Sequence, residues 1–158
     1  MKIIFLDIDG VLNGRYTEES FGGYVFVSDE KIILLKEIVD STNANIVLTS
    51  TWRRGWYLKD RYPSQSNEEV WLFEALQEKL GEYGLELMDY TEELGHRGEE
   101  ISKWLKNHNG EAVESYVVID DMNEDELRPH TNRLVQTNSA EALTESDVDE
   151  AIKILNVM

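Results

Sequence analysis

The chain has 158 residues, 32 of them acidic and 15 basic, and a formal net charge of −17. Its length and 41% hydrophobic content fit one domain with its own core and exclude a disordered acidic tail, while the lack of cysteine excludes disulfides and thiolate chemistry. No apolar run approaches the ~20 residues of a membrane span, Asp7 comes too early for a secretory leader, and the charge repels polyanions; the expectation is a cytoplasmic protein that makes no membrane contact and binds no nucleic acid extensively.

Lys2 to Asp9 reads as a strand, with Ile3-Ile4-Phe5-Leu6 apolar throughout, as a parallel strand covered on both faces requires. Gly10 and Gly14 end it, and residues 14–27, with the aromatic run Phe21 to Val27, suit a short hairpin or flap. Ser28-Asp29-Glu30 opens a helix to about Asp40, with Ile32, Leu35, Ile38 and Val39 at helical spacing. Ala44 to Ser50 is a second core strand, followed by a polar, basic loop to Pro63. A helix capped at Ser66-Asn67 runs to about Gly81, a third strand covers Leu85 to Met88, and a further helix covers 98–108. Tyr116 to Ile119 is a fourth strand running into Asp120-Asp121, Arg133 to Gln136 a fifth, and Thr144 caps a last helix to about Asn156. Alternating strands and helices predict an α/β fold with a mostly parallel central sheet.

Asp7, Asp9, Asp120 and Asp121 all fall at the carboxyl ends of predicted strands, the rim where open α/β sheets place ligands. An ideal strand aims residues two apart to one face; if the strand stops between Asp7 and Asp9, the second turns over the site instead. Carboxylates gathered so closely repel one another, and a hard divalent cation with oxygen ligands relieves the repulsion; Mg2+ fits that role. Read alone, each such acid is equally well a loop cap.

Phe5-Leu6-Asp7-Ile8-Asp9-Gly10-Val11-Leu12 resembles the first motif of the haloacid dehalogenase (HAD) superfamily, Val47-Leu48-Thr49-Ser50 the second, Arg97 the basic third and Ile119-Asp120-Asp121 the acidic fourth. Asp9-Gly-Val-Leu-Asn13, Thr49-Ser-Thr-Trp-Arg53 and Gly98-Glu-Glu-Ile101 are closer still to HAD domains of bacterial RNA-repair fusion proteins and related stand-alone proteins. The resemblance implies a Rossmann-like HAD domain over residues 1–158 without a large cap, and a Mg2+-dependent phosphatase working through an aspartyl-phosphate. It makes Asp7 the nucleophile, Asp9 the general acid and base, and Thr49, with Ser50 as neighbour, a phosphate ligand. Arg97 takes the place of the family's usual lysine, with Lys103 as the other candidate. Asp7, Asp9 through its carbonyl, and Asp120 and Asp121 are the expected metal ligands, with Asp125 a further candidate. The alternative is a non-catalytic phosphate-binding protein on the same fold.

Residues 52–62 carry four basic residues and one acid, against twelve acids and three basic residues over 111–158. Beside the second motif, this stretch reads as a basic recognition loop, with Arg53 gripping phosphate and the tryptophans stacking on bases. Equally, Trp52 and Trp56 could pack on the next helix with Arg53 paired to an acid. The expected substrate is a small phosphomonoester or a nucleic-acid terminal phosphate.

Overall fold

A computed structural model describes residues 1–109 and 112–157. Strand β1 (Lys2–Leu6) is its centre. Ile3 and Phe5 pack on one side of the sheet with Val47, Ile101 and Trp104; Ile4 and Leu6 pack on the other with Ile32, Leu35, Ile38 and Phe73. A central parallel strand is apolar at every position because both faces are covered.

After β1 come the two-residue strands β2 (Ser20–Phe21) and β3 (Tyr24–Val25), an antiparallel hairpin turning at Gly22-Gly23. Then follow α1 (Asp29–Thr42), β4 (Asn45–Leu48), α2 (Arg53–Leu58), α3 (Glu68–Glu82), β5 (Leu87–Tyr90), α4 (Arg97–Asn107), β6 (Ser115–Asp120), α5 (Glu124–Leu127), a 3-10 turn at Thr131–Arg133, β7 (Leu134–Gln136) and α6 (Glu145–Leu155). The sheet order is β5-β4-β1-β6-β7, and every pairing is parallel. This is the Rossmann-like arrangement expected. Only a hairpin and α1 separate β1 from β4, and only α2 and α3 separate β4 from β5, so no large cap is inserted among the described residues. None of the described helices is long and apolar enough to cross a membrane.

Helix ends follow their capping chemistry. Asn67 accepts a hydrogen bond from the Val70 N–H at 3.1 Å, and Thr144 forms a reciprocal capping box with Asp147. Several element boundaries depart from expectation, among them β4, which ends at Leu48 rather than Ser50, and three show a physical cause. Part of the basic loop is α2, whose six residues with a central glycine carry too little periodicity to read. The third strand starts at Leu87 rather than Leu85, because the Leu85 N–H still bonds back to the Leu80 carbonyl and finishes the C-terminal turn of α3. The first strand stops at Leu6, and residues 8–12 form a tight turn in which the Val11 and Leu12 N–H groups both bond to the Ile8 carbonyl.

One buried polar node seats α4. His130 places Nε2 against the Gly98 carbonyl at 3.1 Å and Ser102 Oγ at 2.8 Å, with Tyr116 Oη 2.7 Å from Nδ1. Burial pushes the His130 imidazole below its ordinary pKa, keeping it neutral, and a neutral ring with Nε2–H donating and Nδ1 accepting satisfies these partners. At Gly98 any side chain would overlap the Arg128 carbonyl, so the first turn of α4 lies directly on the segment after β6.

Candidate active site

β1 and β6 are neighbours in register, Leu6 opposite Ile119, so the residues that follow them emerge side by side at the carboxyl rim. Asp7, Asp120 and Asp121 each offer a carboxylate oxygen within 4.8 Å of the others. Asp7 and Asp120 are buried and Asp121 is half-buried. The seam is tied twice more: Thr137 Oγ1 donates to the Gly10 carbonyl at 2.7 Å, and the Thr137 N–H bonds to the Asp120 carbonyl at 3.0 Å.

Among the described residues, a single cation pairs with this trio. Arg97, in the first turn of α4, lies 2.6 Å from Asp120 and 3.6 Å from Asp7 through Nη1. One positive charge against three carboxylates leaves an excess of negative charge in a desolvated place. Burial, reinforced by Asp120 and only partly opposed by Arg97, pushes the Asp7 carboxyl up to about 8. Burial and Asp120 also raise Asp121 above the usual carboxylate range. The oxygen-only donor set, its closeness and its uncompensated charge suit a hard divalent cation. Asp120 has both oxygens engaged, one with Arg97 and one accepting from the Met122 N–H at 3.0 Å, so Asp7 and Asp121 are the freer pair.

Asp9 is not part of that trio. Its exposed carboxylate accepts from Asn13 Nδ2 at 2.9 Å and from Trp52 Nε1 at 3.1 Å. Asn13 in turn receives the Gly10 N–H at 3.0 Å, bracing the loop. Gly10 has φ +82°, and a β-carbon there would collide with the Asp121 carboxylate. Gly10→Ala is expected to displace Asp121 and weaken Mg2+ binding at least ~10-fold, as read from Mg2+-dependent shifts in unfolding temperature.

Thr49 follows β4 at the same rim, and its buried hydroxyl has no hydrogen-bond partner among the described residues. An orphaned buried hydroxyl beside a carboxylate trio is a vacant donor. The Ser50 hydroxyl is already used, accepting from the Trp52 N–H at 3.2 Å. Arg53 differs from the expected phosphate grip. It is 2% exposed, and its guanidinium donates to the Thr49 carbonyl at 2.7 Å, Thr91 Oγ1 at 2.8 Å and Glu100 at 3.1 Å. It therefore backs the Thr49 turn from behind. Lys103 pairs with Glu92 at 2.6 Å and Asp125 with Arg128 at 2.9 Å, both at the exposed surface and outside the trio. His96 caps α4 by accepting the Glu99 N–H, and His108 caps its other end by donating Nδ1–H to the Trp104 carbonyl.

Three structural partners were not singled out in the sequence. Glu100 lies between Arg53 and Arg97, 3.1 and 3.5 Å away, and accepts from the Leu94 N–H at 2.9 Å. Its position was recoverable: Arg97, Glu100, Ile101 and Trp104 share one buried helical stripe. Thr137 stands in a segment that shares the family resemblance but its role does not show there, and Thr91 carried no signal, since each acts through a contact that only the assembled sheet creates.

The family described as HAD domain in Swiss Army Knife RNA repair proteins matches residues 3–148. No curated protein and no solved structure gives a match.

Proposed function

Since the chain belongs to the family of HAD domains in Swiss Army Knife RNA repair proteins, we propose that it is a Mg2+-dependent phosphomonoester hydrolase acting through an aspartyl-phosphate on Asp7. The observation that carries this is the trio Asp7, Asp120 and Asp121, two of them buried and one half-buried, with Arg97 as the one cation paired to it among the described residues and the orphaned Thr49 hydroxyl at the same rim. Asp7, Asp121 and Asp120 would hold the ion, with the Asp9 carbonyl as a further ligand. When bound, Mg2+ supplies charge compensation for the carboxylates and the phosphoryl oxygens.

In the first step the Asp7 carboxylate attacks phosphorus as the bond to the leaving oxygen breaks, and Asp9 in its acid form gives that oxygen a proton. In the second, Asp9 takes a proton from water as the water oxygen attacks phosphorus; the Asp7–phosphorus bond breaks and inorganic phosphate leaves. Thr49 donates its hydroxyl to a phosphoryl oxygen. Arg97 offsets phosphoryl charge and holds Asp7 beside Asp120. Arg53 is assigned a positioning role through the Thr49 carbonyl. Asn13 and Trp52 fix the Asp9 carboxylate through the two hydrogen bonds it accepts.

The test is phosphate release, with and without Mg2+, from sugar phosphates, nucleotides and oligonucleotides phosphorylated at the 3′ or 5′ end. Mg2+-dependent release from at least one class is expected. Release from none would leave a phosphate-binding protein as the better reading.

A further inference from the structure

Asp9, as the acid of the proposed reaction, protonates the leaving oxygen, and it accepts a hydrogen bond from Trp52 Nε1 at 3.1 Å. The group attached to that oxygen therefore departs beside Trp52. On the same residue opens a cavity of about 150 Å3 lined by Thr51, Trp52, Arg54, Glu69 and Leu72. It lies between the segment entering α2 and the outer face of α3, outside the carboxylate trio.

The lining combines an aromatic ring, an aliphatic side chain, a donor and an acceptor. Arg54 commits Nε and Nη2 to Glu93, each at 3.0 Å, which leaves the Nη1 hydrogens for a ligand. Glu69 contributes a carboxylate that accepts N–H groups. A free phosphate is poorly served here, because Glu69 and Glu93 oppose the charge of Arg54. A sugar can lay a C–H face on a tryptophan ring, but it brings no planar π face to cover the indole. A nucleobase supplies such a face together with an edge bearing both N–H donors and acceptors. The space suits one base and not a strand, in keeping with a chain of net charge −17.

We propose that this cavity binds the base of a nucleoside whose phosphate is cleaved at Asp7, with Trp52 serving both as a wall of the base site and as a donor to Asp9. The inference rests on the phosphatase reading and assigns its leaving group. Two sources present the same chemistry, a free nucleoside monophosphate and the terminal nucleotide of an oligonucleotide.

Leu72→Trp tests it, because Leu72 is only partly buried and a larger ring there fills the cavity without entering the core. Wild type and variant are compared on guanosine and adenosine 3′- and 5′-monophosphates, on an oligonucleotide with one terminal phosphate, and on glycerol phosphate, which has no base. The ratio of kcat/KM for nucleotide to that for glycerol phosphate should fall at least ~10-fold in the variant, mainly through KM. Whichever of the monophosphate and oligonucleotide arms shows the larger fall identifies the source. A second readout needs no turnover: guanosine or adenosine should bind the Asp7→Asn protein by calorimetry and bind it at least ~10-fold more weakly when Leu72→Trp is added. An unchanged ratio together with no nucleoside binding overturns the proposal while leaving the phosphatase reading intact. If no substrate, glycerol phosphate included, is hydrolysed, the phosphatase reading fails, and the nucleoside titration alone decides the cavity.

Discussion

Asp7→Asn should abolish phosphate release, by at least ~10³-fold in kcat, and in Mg2+-free buffer it should make the protein more stable. The two effects share one cause. Asp7 stands buried beside Asp120 with its carboxyl pushed from 3.8 up to about 8, so ionising it in the folded chain is costly. The sign follows from linkage. Below 3.8 the folded and unfolded chains both carry the proton; as pH rises from there, the unfolded chain loses it and the folded chain keeps it, so stability falls until the folded group ionises near 8. Asparagine removes that loss, on the order of a few kcal/mol. Urea unfolding of both proteins in EDTA between about pH 6 and about pH 9 checks it: the curves should diverge in favour of the variant up to about pH 8 and then run parallel. Adding Mg2+ should reverse the order by stabilising wild type alone. A variant less stable than wild type at pH ~8 in EDTA would show that Asp7 carries no such burden.

Removing Arg97 should have the opposite effect on the fold. Arg97→Ala strips the cation from Asp120 at 2.6 Å, Glu100 at 3.5 Å and Asp7 at 3.6 Å, all of them buried. Breaking a buried pair by deleting one partner costs about 3–5 kcal/mol, and here three acids lose the same partner. Arg97→Lys keeps the charge but cannot span those partners with one planar fork, so it should recover part of the stability and little of the activity. Denaturant unfolding measures the first and Mg2+-dependent phosphate release the second. An alanine variant within ~1 kcal/mol of wild type would mean that the trio does not rely on Arg97 for compensation. Saturating Mg2+ should restore more stability to Arg97→Ala than to wild type, since the ion then neutralises charge that Arg97 no longer meets.

The sheet and the rim were legible in the sequence because they rest on local pattern. Four consecutive buried apolar residues before Asp7, and the run Val117-Val118-Ile119 before Asp120, identify strands by themselves. That Asp7, Asp120 and Asp121 then meet follows from parallel pairing of those strands, a fold-level rule rather than a local one. What sequence pattern could not resolve was the direction of long side chains. Arg53 read equally as a phosphate ligand, because it follows Thr49 so closely, and as the partner of an acid; a helical turn carries it beneath the strand end to Glu100. Asp9 shares a motif with Asp7 but ends up on Asn13 and Trp52, because β1 stops at Leu6 and the following turn separates the two carboxylates. Thr49 and Ser50 were interchangeable as strand-end hydroxyls; a single bond from the Trp52 N–H to Ser50 distinguishes them.

The β1–β6 seam has a consequence for the order in which competence can arise during folding. One side of it, β1-α1-β4 with β5, contributes Asp7 and Thr49; the other, β6 with β7, contributes Asp120 and Asp121, and Arg97 comes from the connection between them. Contacts so far apart in the chain bear the largest loop-closure cost. Neither side holds a full set of carboxylates, and Arg97 reaches Asp7 and Asp120 only when both are present. On the proposed mechanism, a nascent or half-assembled chain would therefore be unable to hold the ion or to activate Asp7. The Asp7 carboxylate gains its charged neighbours in the same event that completes the sheet, and a chain that stalls before that event lacks the assembled trio.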